Sequence, residues 1–156
     1  MIATGELLHI HIAERAGEPM RALEQAHLVA GVGIDGDRYA TELGYYSANP
    51  DVREVTLIES ETLEALARDH DLHLDPVEHR RNLTTRSVAL NHLVGQRFRV
   101  GEVVLEGGRL NTPCAYLDDL LGKKVFRKLV HRSGLNCRII TGGTIKPGDQ
   151  ITGLLN

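Results

Sequence analysis

Short runs with β spacing, joined at glycines, constrain this chain more than any other feature. In GELLHIHIAE (residues 5–14), Leu8, Ile10 and Ile12 fall on one face and Leu7, His9 and His11 on the other. This is the period-two alternation of a strand. EVTLIE (54–59) gives a second strand, RFRV and EVVLE flank Gly101 as a tight pair, and LNCRIIT (135–141) leads into Gly142 and Gly143. In GTIKPGDQITGL, Pro147 and Gly148 suit the centre of a type II turn, because proline presets the first φ and glycine supplies the positive second one. Helical spacing is clearest in one segment. Ser60 suits an N-cap, Glu61 and Glu64 favour the first turn, and Leu63, Leu66, Ala67 and His70 share a face. A helix is therefore expected over 61–70. No βα alternation asks for a parallel sheet. The expected architecture is a mainly β, closed barrel with a few short helices.

At 156 residues the chain can bury a core as a single domain, 1–156, and no linker or repeat divides it. Its apolar runs are far too short to span a bilayer. MIATGELLHI lacks the basic start and long apolar stretch of a signal peptide, so a cytoplasmic protein without a membrane partner is expected. A formal charge of -3, no tryptophan and two phenylalanines argue against nucleic-acid binding. Two cysteines without a CxxC pair do not make a disulfide framework.

The two cysteines differ in setting. Cys114 follows Pro113 in RLNTPCAYLDDLLGKK (109–124). Proline cannot donate to a ladder, so the chain there is a loop or strand end, and YLDDLLG beyond it can form a turn or two of helix. A thiol at a helix start faces unpaired N–H groups, which favour thiolate. That setting suits a nucleophile, a persulfide carrier or a ligand for a soft metal; the alternative is a small buried hydrophobe. Cys137 lies between Leu135 and Ile139 on one strand face, where packing is the simpler reading.

Four further segments carry polar chemistry. HRRNLTTR (79–86) holds Arg80, Arg81, Asn82 and Arg86, a dense donor set suited to an anion. GVGIDGDRYA (31–40) matches no phosphate-loop spacing, yet Asp37 and Arg38 can line a site. KKVFRKLVHR (123–132) reads as an amphipathic basic helix stopped by Gly134. Its cations form either a solvated face or a collar that draws in an anionic cofactor. His70, His73 and His79 lie close together but without zinc spacing.

In order, GIDGDR (33–38), REVTLIE (53–59), RRNLTTRSVALNHLVGQRFRVGEVVLE (80–106), TPCAYLD (112–118) and RSGLNCRIITGGTIKPGDQI (132–151) resemble the MOSC domain. This is the C-terminal domain of molybdenum-cofactor sulfurases, found also as stand-alone bacterial proteins. The resemblance implies a closed, pyruvate-kinase-barrel-like β-barrel and places the family's signature cysteine at Cys114. It implies a role for that cysteine as a persulfide sulfur carrier or as a molybdenum ligand, with molybdenum cofactor (molybdopterin) bound. Arg80, Arg81, Asn82 and Arg86 would then serve the cofactor's phosphate. The activity implied is that of a sulfurtransferase supporting molybdoenzyme sulfuration, or of a molybdenum-dependent oxidoreductase component that reduces N-hydroxylated compounds. A non-catalytic barrel that binds or delivers an anionic cofactor is the alternative. Tyr39 stands where several small bacterial members carry histidine. No pyridoxal-phosphate desulfurase domain and no electron-transfer module is expected in the chain. A separate cysteine desulfurase or redox partner, and molybdoenzymes as recipients, are therefore the implied partners.

Overall fold

The computed structural model describes residues 4–49 and 51–154; the first three residues of the N-terminal stretch discussed above lie outside them. The strands are β1 (Thr4–Ile12), β2 (Arg21–Ala22), β3 (Ala26–Val29), β4 (Gly33–Ile34), β5 (Val55–Glu59), β6 (Leu83–Arg86), β7 (Arg97–Val100), β8 (Val103–Leu110), β9 (Leu135–Thr141), β10 (Gly143–Ile145) and β11 (Gln150–Gly153). Two short helices, α1 (Ser60–His70) and α2 (Ala115–Leu121), complete the described elements together with two 3-10 turns. Seven strands run in the order β11-β7-β8-β9-β5-β6-β1, and β1 pairs with β11 to close the barrel. Closure leaves the main sheet without a free edge. A three-stranded sheet, β10-β3-β4, packs beside it.

Alternation builds the barrel interior. Leu7, Ile10, Val55, Leu57, Leu83, Phe98, Leu105, Leu135, Cys137 and Ile151 form one buried cluster. Each fully buried aliphatic contributes roughly 1.5–3 kcal/mol relative to exposure. β1 departs from the simple alternation. Its register against β6 shifts between Leu7 and His9, so Leu8 is the extra residue of a bulge. Leu7, not Leu8, therefore joins Ile10 and Ile12 in the core.

α1 begins one residue earlier than its spacing implies. Glu59 takes the N-cap position and Ser60 is the first helical residue. Its buried face is Thr62, Ala65 and Leu66, while His70 is exposed. The helix connects β5 to β6, which pair in parallel, so the barrel contains one βαβ crossover that the sequence pattern did not signal. The 123–132 segment forms only a 3-10 turn, Phe126–Leu129, instead of an amphipathic helix. Val125 and Leu129 turn inward against Leu66, Leu74 and Leu117, a second small apolar cluster outside the barrel. The Pro147–Gly148 turn forms as expected: Gly148 has φ +98°, and the Asp149 N–H donates to the Lys146 carbonyl at 3.1 Å.

Two glycines allow close passages. Gly134 has φ +108°, and a Cβ there would lie 2.0 Å from the Leu57 carbonyl oxygen. At Gly107, a Cβ would lie 2.0 Å from the Leu93 carbonyl oxygen. β8 shifts register against β9 between Gly107 and Arg109, and Arg109 thereby comes opposite Asn136. No helix among the described residues is long and apolar enough to cross a membrane.

Candidate functional site

A polar row crosses the outer face of the barrel wall. Thr56 alternates with core residues Val55 and Leu57, Asn136 alternates with Leu135 and Cys137, and Thr56 is paired with Asn136. Arg109 extends the row on one side. Asn82 extends it on the other, where its Oδ1 accepts the backbone and hydroxyl donors of Thr56, each at 3.1 Å. The loop between β4 and β5 and the 111–117 segment rise over this row and enclose a cleft of about 350 Å³. That volume suits a small-molecule ligand.

Five arginines line the cleft, Arg38, Arg53, Arg80, Arg81 and Arg109, against one carboxylate, Asp51. Arg38 and Arg81 are the two buried ones. Arg81 Nε donates to the Ser133 carbonyl at 3.0 Å, Nη1 to the His79 carbonyl at 2.9 Å, and Nη2 to Asn111 Oδ1 at 2.7 Å and Ser133 Oγ at 2.6 Å. Four of its five N–H groups are thus held by neutral acceptors, and no carboxylate pairs with it among the described residues. Burial, reinforced by Arg38, brings its pKa down to about 10, which still leaves it charged at neutral pH. Arg38 is braced from behind by Asp37 at 3.0 Å and donates to the Arg80 carbonyl at 3.1 Å.

Cys114 is half-buried and occupies the N-cap position of α2, with no side-chain capping bond. Tyr46 Oη lies 2.6 Å from its Sγ. Burial first, then the contact with Cys114, raises the Tyr46 pKa far above its ordinary value, so its hydroxyl keeps its proton. Tyr45 stacks on Tyr116 with ring centroids 3.8 Å apart, and Tyr46 meets Tyr45 edge-on at 4.7 Å. Tyr39 lies under the Arg38 guanidinium at 4.7 Å. All four tyrosines of the chain line this one cleft. Sequence reasoning missed them. The signal was the adjacent Tyr45–Tyr46 pair within a turn-rich loop of an aromatic-poor chain. Asp51, Arg53, Arg109, Asn111 and Asn136 were missed as well.

Of the residues expected at the site, Cys114, Arg38, Arg80 and Arg81 line the cleft. Asp37 does not: it is wholly buried and accepts from the Ala13 N–H and Arg38. Asn82 is spent on Thr56 and the His11 carbonyl, tying β1 to β5. Arg86 is exposed at the far end of β6 opposite Glu6, away from the cleft. The basic 123–132 segment makes no collar around it; Lys123 pairs instead with Glu78 at 2.8 Å. The histidine group also separates. His79 is buried, with Nδ1 accepting the Arg81 N–H at 2.9 Å and Nε2 near Thr84 Oγ1 at 2.8 Å, whereas His70 and His73 are exposed. No group of three metal-ligating side chains occurs among the described residues.

A family model described as the MOSC domain matches residues 45–152. That span contains Tyr45, Tyr46 and Cys114 and leaves Asp37, Arg38 and Tyr39 outside it. No curated protein sequence matches the chain significantly. Among solved structures, the YuaD protein from Bacillus subtilis is similar over 100% of this chain and 99% of its own, at 16% identity and a TM-score of 0.83. YiiM from Geobacillus stearothermophilus is similar over 97% of this chain and 75% of its own, at 12% identity and TM-score 0.72. YiiM from Escherichia coli covers 100% and 71%, at 17% identity and TM-score 0.69. At these identities the likeness concerns the fold.

Proposed function

The chain belongs to the MOSC domain family, and from that premise we propose that its cleft holds an anionic, phosphate-bearing molybdenum cofactor, with the Cys114 sulfur as the soft ligand. The observation that carries this reading is the placement of the chain's one partly exposed thiol in a cleft lined by five arginines and all four tyrosines. The donor set fits such a group. Guanidinium forks match phosphate oxygens, tyrosine faces match a flat heterocycle, and a thiolate is a soft-metal ligand. The uncompensated charge of buried Arg81 favours an anion over a neutral ligand. When bound, the cofactor supplies a redox-active metal. The chain's own residues bind and orient it: Arg38, Arg80, Arg53 and Arg109 offer charge, Arg81 holds Asn111 and Ser133 in place, and the tyrosines shield the sulfur from water.

The second reading is a persulfide carrier on Cys114 that serves a molybdoenzyme after loading by a cysteine desulfurase. The contact between Tyr46 and Sγ favours it, because a retained phenol proton can be donated to an anionic sulfur. The oxidoreductase form of the first reading requires a separate redox partner.

Both readings are tested on protein purified from a host that makes molybdenum cofactor. Elemental analysis reads molybdenum and phosphorus, and intact mass reads an added sulfur. Molybdenum with phosphorus in the native protein, lost in Cys114→Ser, supports the cofactor reading. An added sulfur without molybdenum supports the carrier. A native protein with neither, or a folded Cys114→Ser variant that keeps either, refutes the corresponding role.

A further inference from the structure

The five arginines of the cleft differ in their partners. Arg80 and Arg81 donate to neutral acceptors and Arg38 pairs with buried Asp37, whereas Arg109 and Arg53 share a single carboxylate. Arg109 Nε lies 2.9 Å from both oxygens of Asp51, Arg109 Nη2 donates to Oδ2, and Arg53 Nη2 lies 3.3 Å from Oδ2. The Asp51 side chain is 30% exposed and that of Arg109 38%. We propose that Asp51 is an internal counter-ion, which an incoming phosphate-type ligand of two or more negative charges displaces from Arg109 and Arg53. The proposal rests on the reading of the cleft as a phosphate-binding site.

Two guanidiniums facing one carboxylate leave a net positive charge, so the pair is not electrostatically complete. A simple carboxylate ligand gains nothing by replacing Asp51, which is tethered and so present at high effective concentration. A dianionic phosphoryl group can engage both guanidinium forks and so does better than Asp51. The Asp51 side chain is already about a third exposed, so once displaced it passes into water, and its hydration offsets part of the lost contact with Arg109 and Arg53. Asp51 thereby sets the class of ligand: phosphate esters and diphosphates in preference to monocarboxylates. Arg53 also donates to the Tyr46 carbonyl, so the displaced pair is joined to the loop that carries Tyr45 and Tyr46.

The test is calorimetric titration of the full chain with inorganic pyrophosphate at constant ionic strength. Asp51→Asn should bind about tenfold more tightly than the native protein, because the competing charge is gone while the side chain's shape is kept. Glu42→Gln makes the same change in net charge on the same loop, at a residue with no ion pair among the described residues, and should stay within about twofold. Equal tightening in both variants would reduce the effect to net charge and overturn the proposal. Unchanged or weaker binding by Asp51→Asn would also overturn it, while native binding of pyrophosphate would leave the cleft's reading standing. Absence of pyrophosphate binding by every variant would overturn both.

Discussion

Cys114 and Tyr46 lie 68 positions apart in the chain, yet their side chains touch. With the thiol ionised, only Tyr46 can donate in that contact. A hydrogen bond to a charged group contributes about 1.5–3 kcal/mol. Tyr46→Phe removes that donor and leaves the anionic form of the sulfur without its hydrogen-bonded partner. Iodoacetamide should therefore modify Cys114 in the metal-free Tyr46→Phe variant more slowly than in the native protein. Faster modification would mean that the hydroxyl only covers the sulfur. Cys137 provides the contrast in the same experiment. It is wholly buried, burial pushes its thiol pKa well up, and it should stay unmodified while the fold is intact. Cys137 was legible from its aliphatic neighbours. The partner of Cys114 was not, because nothing in a local window relates residue 46 to residue 114.

At the scale of elements, β9 is held by contrasting features at its start and centre. Cys137→Ala removes one sulfur from the barrel core and should cost on the order of 1 kcal/mol, through a small cavity and lost transfer energy. Gly134→Ala, just before the strand, should cost at least about twice as much. Its backbone φ of +108° is unfavourable for alanine, and the new Cβ meets the Leu57 carbonyl at 2.0 Å. Urea unfolding of the two variants decides the order, and a Gly134→Ala variant as stable as Cys137→Ala would remove the close passage from the account. The same elements show where pattern reading stops. LNCRIIT became β9 at the expected residues because its alternation is uninterrupted. The first strand was found, and Ile10 and Ile12 share the core face, but the bulge at Leu8 puts Leu7 and not Leu8 with them. KKVFRKLVHR has helical spacing, yet the segment must cross the second apolar cluster with Val125 and Leu129 inward, and that burial leaves it only a 3-10 turn.

For the whole molecule, pH acts through buried histidines. His79 is wholly buried, and desolvation, with Arg81 nearby, holds its pKa well below 6.5. His11 is shifted the same way, chiefly by burial. Above pH 6.5 neither state is protonated at these residues, so they confer no pH dependence. Below it, the unfolded chain takes up protons that the folded protein does not. Stability then falls with a slope of up to about 1.4 kcal/mol per pH unit for each histidine. Urea midpoints at pH 7.5 and 5.5 should differ accordingly, and the dependence should flatten in His79→Gln even though that variant is less stable at both. A native midpoint that rises on acidification would contradict this assignment.

What the sequence determined by itself was the class of fold and the position of the thiol. Period-two runs with glycine joints leave few solutions other than a closed antiparallel-rich barrel, and Pro113 keeps Cys114 out of a ladder; both follow from local backbone chemistry. The tertiary structure decided which charges surround that thiol. HRRNLTTR looked like one donor cluster, but strand geometry directs Arg81 into the cleft, spends Asn82 on Thr56 and sends Arg86 to the far end of β6. The site's remaining members, Tyr45, Tyr46, Asp51, Arg53 and Arg109, come from a loop and from a strand with shifted register. Their convergence depends on barrel closure and on a bulge at Gly107–Gly108, which are long-range packing outcomes that no local pattern encodes.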